Sequence, residues 1–216
     1  MSLSAQSTKQ IDIGADEIVT LWDNSTAKYS NHMEKDEKVV SKRKFYNTSS
    51  ADLYIFHPKT ENKTGVSIVI YPGGSYRYAG FSTHFINWCK ENGITAAMLK
   101  YRVPNGGYNQ ATLEDATGAV EYMRTNADRL GIDPQKVGVS GSSAGGHLAA
   151  WSSVVLKGKQ KPNFAVLHYP VISGYIWTGK PQWSTFEELL GKYPSMPFYE
   201  VDAERVKIPA AWMIDQ

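Results

Sequence analysis

The residues Gly141-Ser142-Ser143-Ala144-Gly145 set a serine between two glycines, at the spacing that presents a hydroxyl as a nucleophile. The pattern alone is weak, because a random chain of this composition would hold roughly 0.1 such match. Its neighbours strengthen it. Lys136 to Ser140 reads as a strand and Ala144 to Leu156 as a helix, so Ser143 falls on a sharp strand-to-helix turn. Such a turn crowds the backbone two residues to either side, where only glycine avoids a clash, and Gly141 and Gly145 stand there. The same turn aims the amide of Ala144, at a helix N-terminus, toward a developing oxyanion. The competing reading is a small-residue loop that joins strand to helix and does no chemistry.

A second glycine loop, Tyr71-Pro72-Gly73-Gly74-Ser75-Tyr76, follows a continuous apolar run, Val66 to Tyr71. Bare backbone here lets an acyl oxygen come close, and by position Gly74 and Ser75 are the expected amide donors that complete an oxyanion hole with Ala144. A plain turn is the alternative.

Both loops need a rigid frame, and the chain supplies one. After a polar leader over residues 1 to 15 come three strand-like runs, Ile18 to Trp22, Lys38 to Lys42 and Leu53 to Phe56, separated by turn residues and suited to hairpin pairing. Apolar runs at Val66 to Tyr71 and Ile94 to Leu99 have the texture of strands buried on both faces. Between them Ser82 to Asn92 reads as a helix stopped by Gly93. A longer helix from about Ala111 to Leu130 carries Leu113, Ala116, Val120, Met123, Ala127 and Leu130 on one face and ends at Gly131. Phe164 to Tyr169 is a further strand, Ser184-Thr-Phe-Glu187 a capping box opening a short helix through Leu190, and Ala210 to Ile214 the start of a last strand. Alternating β and α elements behind antiparallel strands predict an α/β fold: a mostly parallel sheet with helices on both faces, in one domain over 16–216.

Four blocks together, Tyr71-Pro-Gly-Gly-Ser-Tyr76, Leu99-Lys-Tyr-Arg-Val-Pro104, Asn126-Ala-Asp-Arg-Leu-Gly-Ile-Asp-Pro134 and Gly138-Val-Ser-Gly-Ser-Ser-Ala-Gly-Gly-His-Leu-Ala149, resemble the acetylxylan and feruloyl esterase-like branch of the α/β-hydrolases. The resemblance runs in consistent order from about Leu21 to Gln216. It implies hydrolysis of carboxylic esters, often acetyl groups on plant polysaccharides, without metal or cofactor. The expected partner is a small-molecule or oligosaccharide ester. A formamidase-like amidase is a lesser possibility within the same machinery, and a non-catalytic carbohydrate- or protein-binding domain on a hydrolase fold is the rival class.

A serine hydroxyl needs a histidine to take its proton and an acid to orient that histidine, in the chain order Ser, acid, His for this fold. Only His147 and His168 follow Ser143. His147 lies one helical turn on, where its ring packs along the helix, and the family has a histidine there that is not the base. His168 ends the strand beside the elbow strand. His32, His57 and His84 precede the nucleophile. Asp215 is the best acid, at the end of the last strand, with a solvated strand end as the alternative reading. The expected base lies beyond Gln216, so the sequence reads as a hydrolase domain cut before its closing strand and helix.

Composition sets no obstacle. Hydrophobic residues make up 42% and charged residues 20%, and a net charge of +2 without a basic stripe argues against nucleic acid as a partner. Aromatics at 12% suit a protein that handles rings or sugars, and equally suit an aromatic core. The single cysteine, Cys89, permits no intrachain disulfide and no cysteine metal cluster, and it falls on a helix face expected to be buried. No apolar run approaches the ~20 residues that span a bilayer, so no membrane partner is expected. Leu3-Ser-Ala-Gln6 has the look of a trimmed export signal, which favours a secreted or periplasmic location, and Asn24, Asn47 and Asn62 head Asn-x-Ser/Thr triplets.

Overall fold

Strands read as buried on both faces must lie at the centre of a sheet, and they do. A computed structural model of the chain describes residues 10–41, 43–61, 63–171, 173–177, 191, 199–202 and 205–209. In chain order the elements up to Pro170 are β1 (Glu17–Asp23), β2 (Lys38–Val40), β3 (Lys44–Tyr46), β4 (Ser50–Phe56), β5 (Ser67–Tyr71), β6 (Tyr78–Gly80), α1 (His84–Glu91), β7 (Thr95–Lys100), α2 (Asn109–Thr125), α3 (Ala127–Leu130), β8 (Val137–Ser142), α4 (Ala144–Val155) and β9 (Ala165–His168). Six strands form one sheet in the order β1-β4-β7-β5-β8-β9. The first two joins, β1 to β4 and β4 to β7, are antiparallel, and from β7 through β5 and β8 to β9 the strands run parallel.

Alternating side chains of this sheet enter two cores. Leu53, Ile55, Val69, Ala97, Leu99 and Val139 pack with Ala116, Val120 and Met123 of α2 and Leu148 and Ala149 of α4. Tyr54, Phe56, Ile68, Ile70, Ala96 and Met98 pack on the other face with Ile86 and Cys89 of α1. Helices therefore cover both faces, and Cys89 is wholly buried.

Three features correct the sequence expectation. The N-terminal runs do not pair in succession: β1 reaches across the intervening segment to β4, while β3 pairs with β2 on one side and β6 on the other in a separate three-stranded sheet. The long helix breaks at Asn126 into α2 and α3, and Gly131 caps the second with φ 65°. Beyond Pro170 the chain does not simply alternate. It forms an antiparallel sheet of β10 (Ser173–Trp177), β11 (Tyr199–Asp202) and β12 (Arg205–Pro209), in the order β10-β12-β11. Contacts within the chain group into two units, one up to Pro170 and one from Val171 on. The helix expected at Ser184 to Leu190 and the strand expected at Ala210 to Ile214 both lie outside the described residues. No helix among the described residues is long and apolar enough to cross a membrane.

Candidate active site

Parallel strands β5 and β8 are neighbours, with Tyr71 opposite Gly141, so the two glycine-bearing loops leave the sheet side by side at the same edge. Ser143 stands between β8 and α4 with φ 53° and ψ −119°. A side-chain-bearing residue rarely adopts such a backbone, and holding it there costs about 1–3 kcal/mol. Its neighbours hold it. The Ser143 amide donates to the His168 carbonyl at 3.2 Å, and the Ser143 carbonyl accepts the first helical bond, from the His147 amide, at 3.0 Å. Ala144 opens α4, so its amide has no partner inside the helix.

The flanking glycines are steric necessities. A Cβ on Gly141 would lie 2.1 Å from the Gly145 carbonyl oxygen, and one on Gly145 would lie 1.9 Å from the Tyr71 carbonyl oxygen. Gly145→Ala must therefore push the helix off β5. It is expected to destabilise the fold by at least about 2 kcal/mol, checked by chemical unfolding, and a parent-like midpoint would contradict the tight approach.

The loop after β5 rides on the elbow. A Cβ on Gly73 would meet the Ser142 carbonyl oxygen at 2.9 Å and the Ser143 Cβ at 3.3 Å. Gly74 has φ 144°, and a Cβ there would lie 2.0 Å from the Tyr78 carbonyl oxygen. Ser75 and Tyr76 follow with φ 52° and 57°. The loop's carbonyls are taken: Pro72 accepts from the Tyr101 hydroxyl at 2.9 Å, Gly73 from the Gly80 amide at 2.9 Å, and Gly74 from the Arg77 amide at 2.9 Å. The amides of Gly74 and Ser75 donate to no acceptor among the described residues. The structure thus gathers Ser143, Ala144, Gly74 and Ser75 at one sheet edge, with unpaired amides beside a strained serine.

The other half of the expected machinery is not gathered. Asp215 lies outside the described residues. His147 directs Nδ1 to the Tyr76 hydroxyl at 2.7 Å. His168 sits edge-on to Phe85, ring centroids 5.0 Å apart, and its Nε2 is buried without a partner among the described residues. It lines a cavity of about 190 Å³ on the α1 side of the sheet with Ile70, Met98, Phe85, Ser140 and Ser142. Among the described residues no side chain hydrogen-bonds to the Ser143 hydroxyl. None is grouped to hold a metal ion either.

Sequence reasoning missed the charges that brace this edge. Lys100, at the end of β7 and wholly buried, reaches Asp52 at 2.5 Å and Glu37 and Ser50 at 2.9 and 3.1 Å. Arg102, also wholly buried, pairs with Asp115 at 2.7 Å and Glu114 at 3.1 Å. Between them stands Tyr101, whose hydroxyl holds the Pro72 carbonyl. The available signal was two cations alternating with an aromatic just where an apolar strand ends.

A parallel sheet that presents a strained serine between strand and helix, with a glycine loop over it from the neighbouring strand, defines an α/β-hydrolase. Within that class the chain belongs to the BD-FAE family, whose profile matches residues 51–173. It is homologous to carboxylic ester hydrolases: an acetylxylan esterase of Xylanibacter ruminicola is 35% identical over 127 residues, which are 57% of this chain and 26% of that protein. Among solved structures, an acetyl ester-xyloside bifunctional hydrolase from Caldicellulosiruptor lactoaceticus aligns with a TM-score of 0.52 at 28% identity, over 72% of this chain and 57% of the other. Esterase 2 of Thermogutta terrifontis, phosphonylated by cyclosarin, aligns with a TM-score of 0.53 at 27% identity, over 74% and 58%. The chain thus spans about a quarter of the length of that acetylxylan esterase and under three fifths of these solved chains.

Proposed function

We propose that Ser143 is the nucleophile of a carboxylic-ester hydrolase that removes short acyl groups, acetate foremost, from a carbohydrate. The observation that carries this is the pairing of a strained Ser143 backbone with unpaired amides on the adjoining loop. Attack of the hydroxyl on the acyl carbonyl places a negative charge on its oxygen, and the amides of Ala144, Gly74 and Ser75 are the donors for it. The alcohol leaves, an acyl-enzyme forms on Ser143, and water releases the acid. The proton passes to a histidine acting as general base, with Asp215 as its candidate orienting acid. The relatives named for acetylxylan and acetyl ester-xyloside hydrolysis support acetate on a sugar as the substrate class.

The decisive experiment measures p-nitrophenyl acetate and acetylated xylo-oligosaccharide hydrolysis by the protein expressed from its full reading frame. Turnover above background, lost on Ser143→Ala, is the expected result. A second reading, a non-catalytic carbohydrate-binding domain, is favoured by the observation that no histidine bonds to Ser143 among the described residues. Saturable binding of the oligosaccharide without acetate release would select it.

A further inference from the structure

We propose that Tyr76 and His147 are positioning residues that strap the two halves of the oxyanion hole together, the Tyr76 hydroxyl donating to Nδ1 of His147. The proposal rests on the assignment of Ser143 as nucleophile. One half of the hole, Gly74 and Ser75, belongs to the loop after β5. The other half, the Ala144 amide, belongs to α4. A hole split between two elements works only while both amides point at one spot, so something must fix one element against the other.

The loop cannot do this by itself. Ser75 and Tyr76 are consecutive non-glycine residues in the left-handed region, and relaxation of either would turn the peptide planes that carry the donors. The backbone bonds to Gly73 and Gly74 come from Gly80 and Arg77, within the same hairpin, and the bond to Pro72 comes from Tyr101 beyond β7. All of them act on carbonyls, and none reaches α4. The 2.7 Å bond from Tyr76 to His147 does. Tyr76 directly follows Ser75, and His147 is one helical turn past Ser143, whose carbonyl accepts its amide. The strap therefore spans from the residue next to one donor to the turn that carries the other. The rings meet edge-on, centroids 5.9 Å apart and planes at 88°.

The surroundings favour the protonation states that the proposed direction needs. Burial raises the Tyr76 phenol well above the ordinary tyrosine range, so it keeps the proton that the proposed bond donates. Burial also lowers the His147 pKa, which favours the neutral ring, and the proposed bond requires its Nε2-protonated tautomer, with Nδ1 accepting. A ring committed in this way serves as a fixed acceptor.

The test compares variants of the full-length protein in steady-state acetyl ester hydrolysis. Tyr76→Phe and His147→Leu are each expected to lower kcat by about 10- to 100-fold with KM within about twofold, the signature of a displaced oxyanion donor. The double variant should be no worse than either single one. His147→Asn, which sets a carboxamide oxygen where Nδ1 was, should recover kcat to within a few-fold. Parent-like kcat in folded Tyr76→Phe, or full additivity in the double variant, overturns the strap. Full activity in Ser143→Ala overturns the hydrolase assignment instead, which keeps the two failures apart. A readout independent of turnover is the ¹⁵N spectrum of the His147 imidazole at pH 7. A neutral ring protonated on Nε2, with an Nδ1 resonance that moves in Tyr76→Phe, supports the bond. Protonation on Nδ1, or no response to Tyr76→Phe, overturns it.

Discussion

Ser143→Ala in the full-length protein is expected to cut kcat/KM for p-nitrophenyl acetate by about 10⁴-fold or more, while the thermal midpoint stays near that of the parent. The magnitude follows from what the substitution removes and what it leaves. In the proposed mechanism the hydroxyl forms the acyl bond, so without it the covalent route is closed and only direct attack by water remains. The amides of Gly74, Ser75 and Ala144, the proposed oxyanion donors, are left in place, which is why a small residual rate above the uncatalysed reaction is expected rather than none. The fold is spared because Ser143 holds its turn through backbone bonds, amide to His168 and carbonyl from His147, which alanine makes equally well. Activity within tenfold of the parent would transfer the chemistry to another group and sink the assignment.

The elbow was legible because it is enforced by sterics. Two glycines at fixed offsets are what a carbonyl oxygen about 2 Å from each virtual Cβ demands, and sequence records such demands directly. The central strands were legible for a similar reason: β5 and β7 are buried along their whole length, and their inner positions, Ile68 to Tyr71 and Ala96 to Leu99, are a continuous apolar run. What stayed hidden depends on partners far away in the chain. The strands β3 and β6, three residues each, carry too few side chains to show a period, and they exist because Phe45 and Ala79 meet across 34 residues of sequence. The pairing of β1 with β4 skips two shorter elements, which no local pattern encodes. Tyr76 closed the glycine loop with no role of its own, and His147 read as a packed helix residue. Each gains a role only through the other, 71 positions away. The acid, Asp215, was placed from resemblance and lies outside the described residues.

The largest stability effect expected is at Asp115 on α2. Its carboxylate accepts the Arg102 side chain at Nε and NH2, the Arg102 amide at 2.7 Å, and the Trp22 indole at 2.5 Å. Burial pushes the carboxyl up to about 6 although Arg102 pulls the other way, so it is still ionised at pH 7. Asp115→Ala therefore leaves a wholly buried guanidinium short of its main counter-ion and strands an amide and an indole N–H in the core. Breaking one side of a buried pair costs about 3–5 kcal/mol, mostly from the charge left behind. The exposed pair Arg129–Glu17, with side chains 49% and 28% accessible, gives the contrast, since Arg129→Ala should cost no more than about 0.5 kcal/mol. Urea unfolding of both variants checks the difference. A loss within about 1 kcal/mol at Asp115 would mean that Glu114, the Tyr29 carbonyl and the Ala111 carbonyl suffice to hold Arg102. The expected loss reaches the site as well as the fold. Arg102 anchors the chain one residue past Tyr101, and the Tyr101 hydroxyl fixes the Pro72 carbonyl at the root of the loop that carries Gly74 and Ser75. At a temperature where Asp115→Ala is still folded, kcat for acetyl ester hydrolysis should fall further than KM rises.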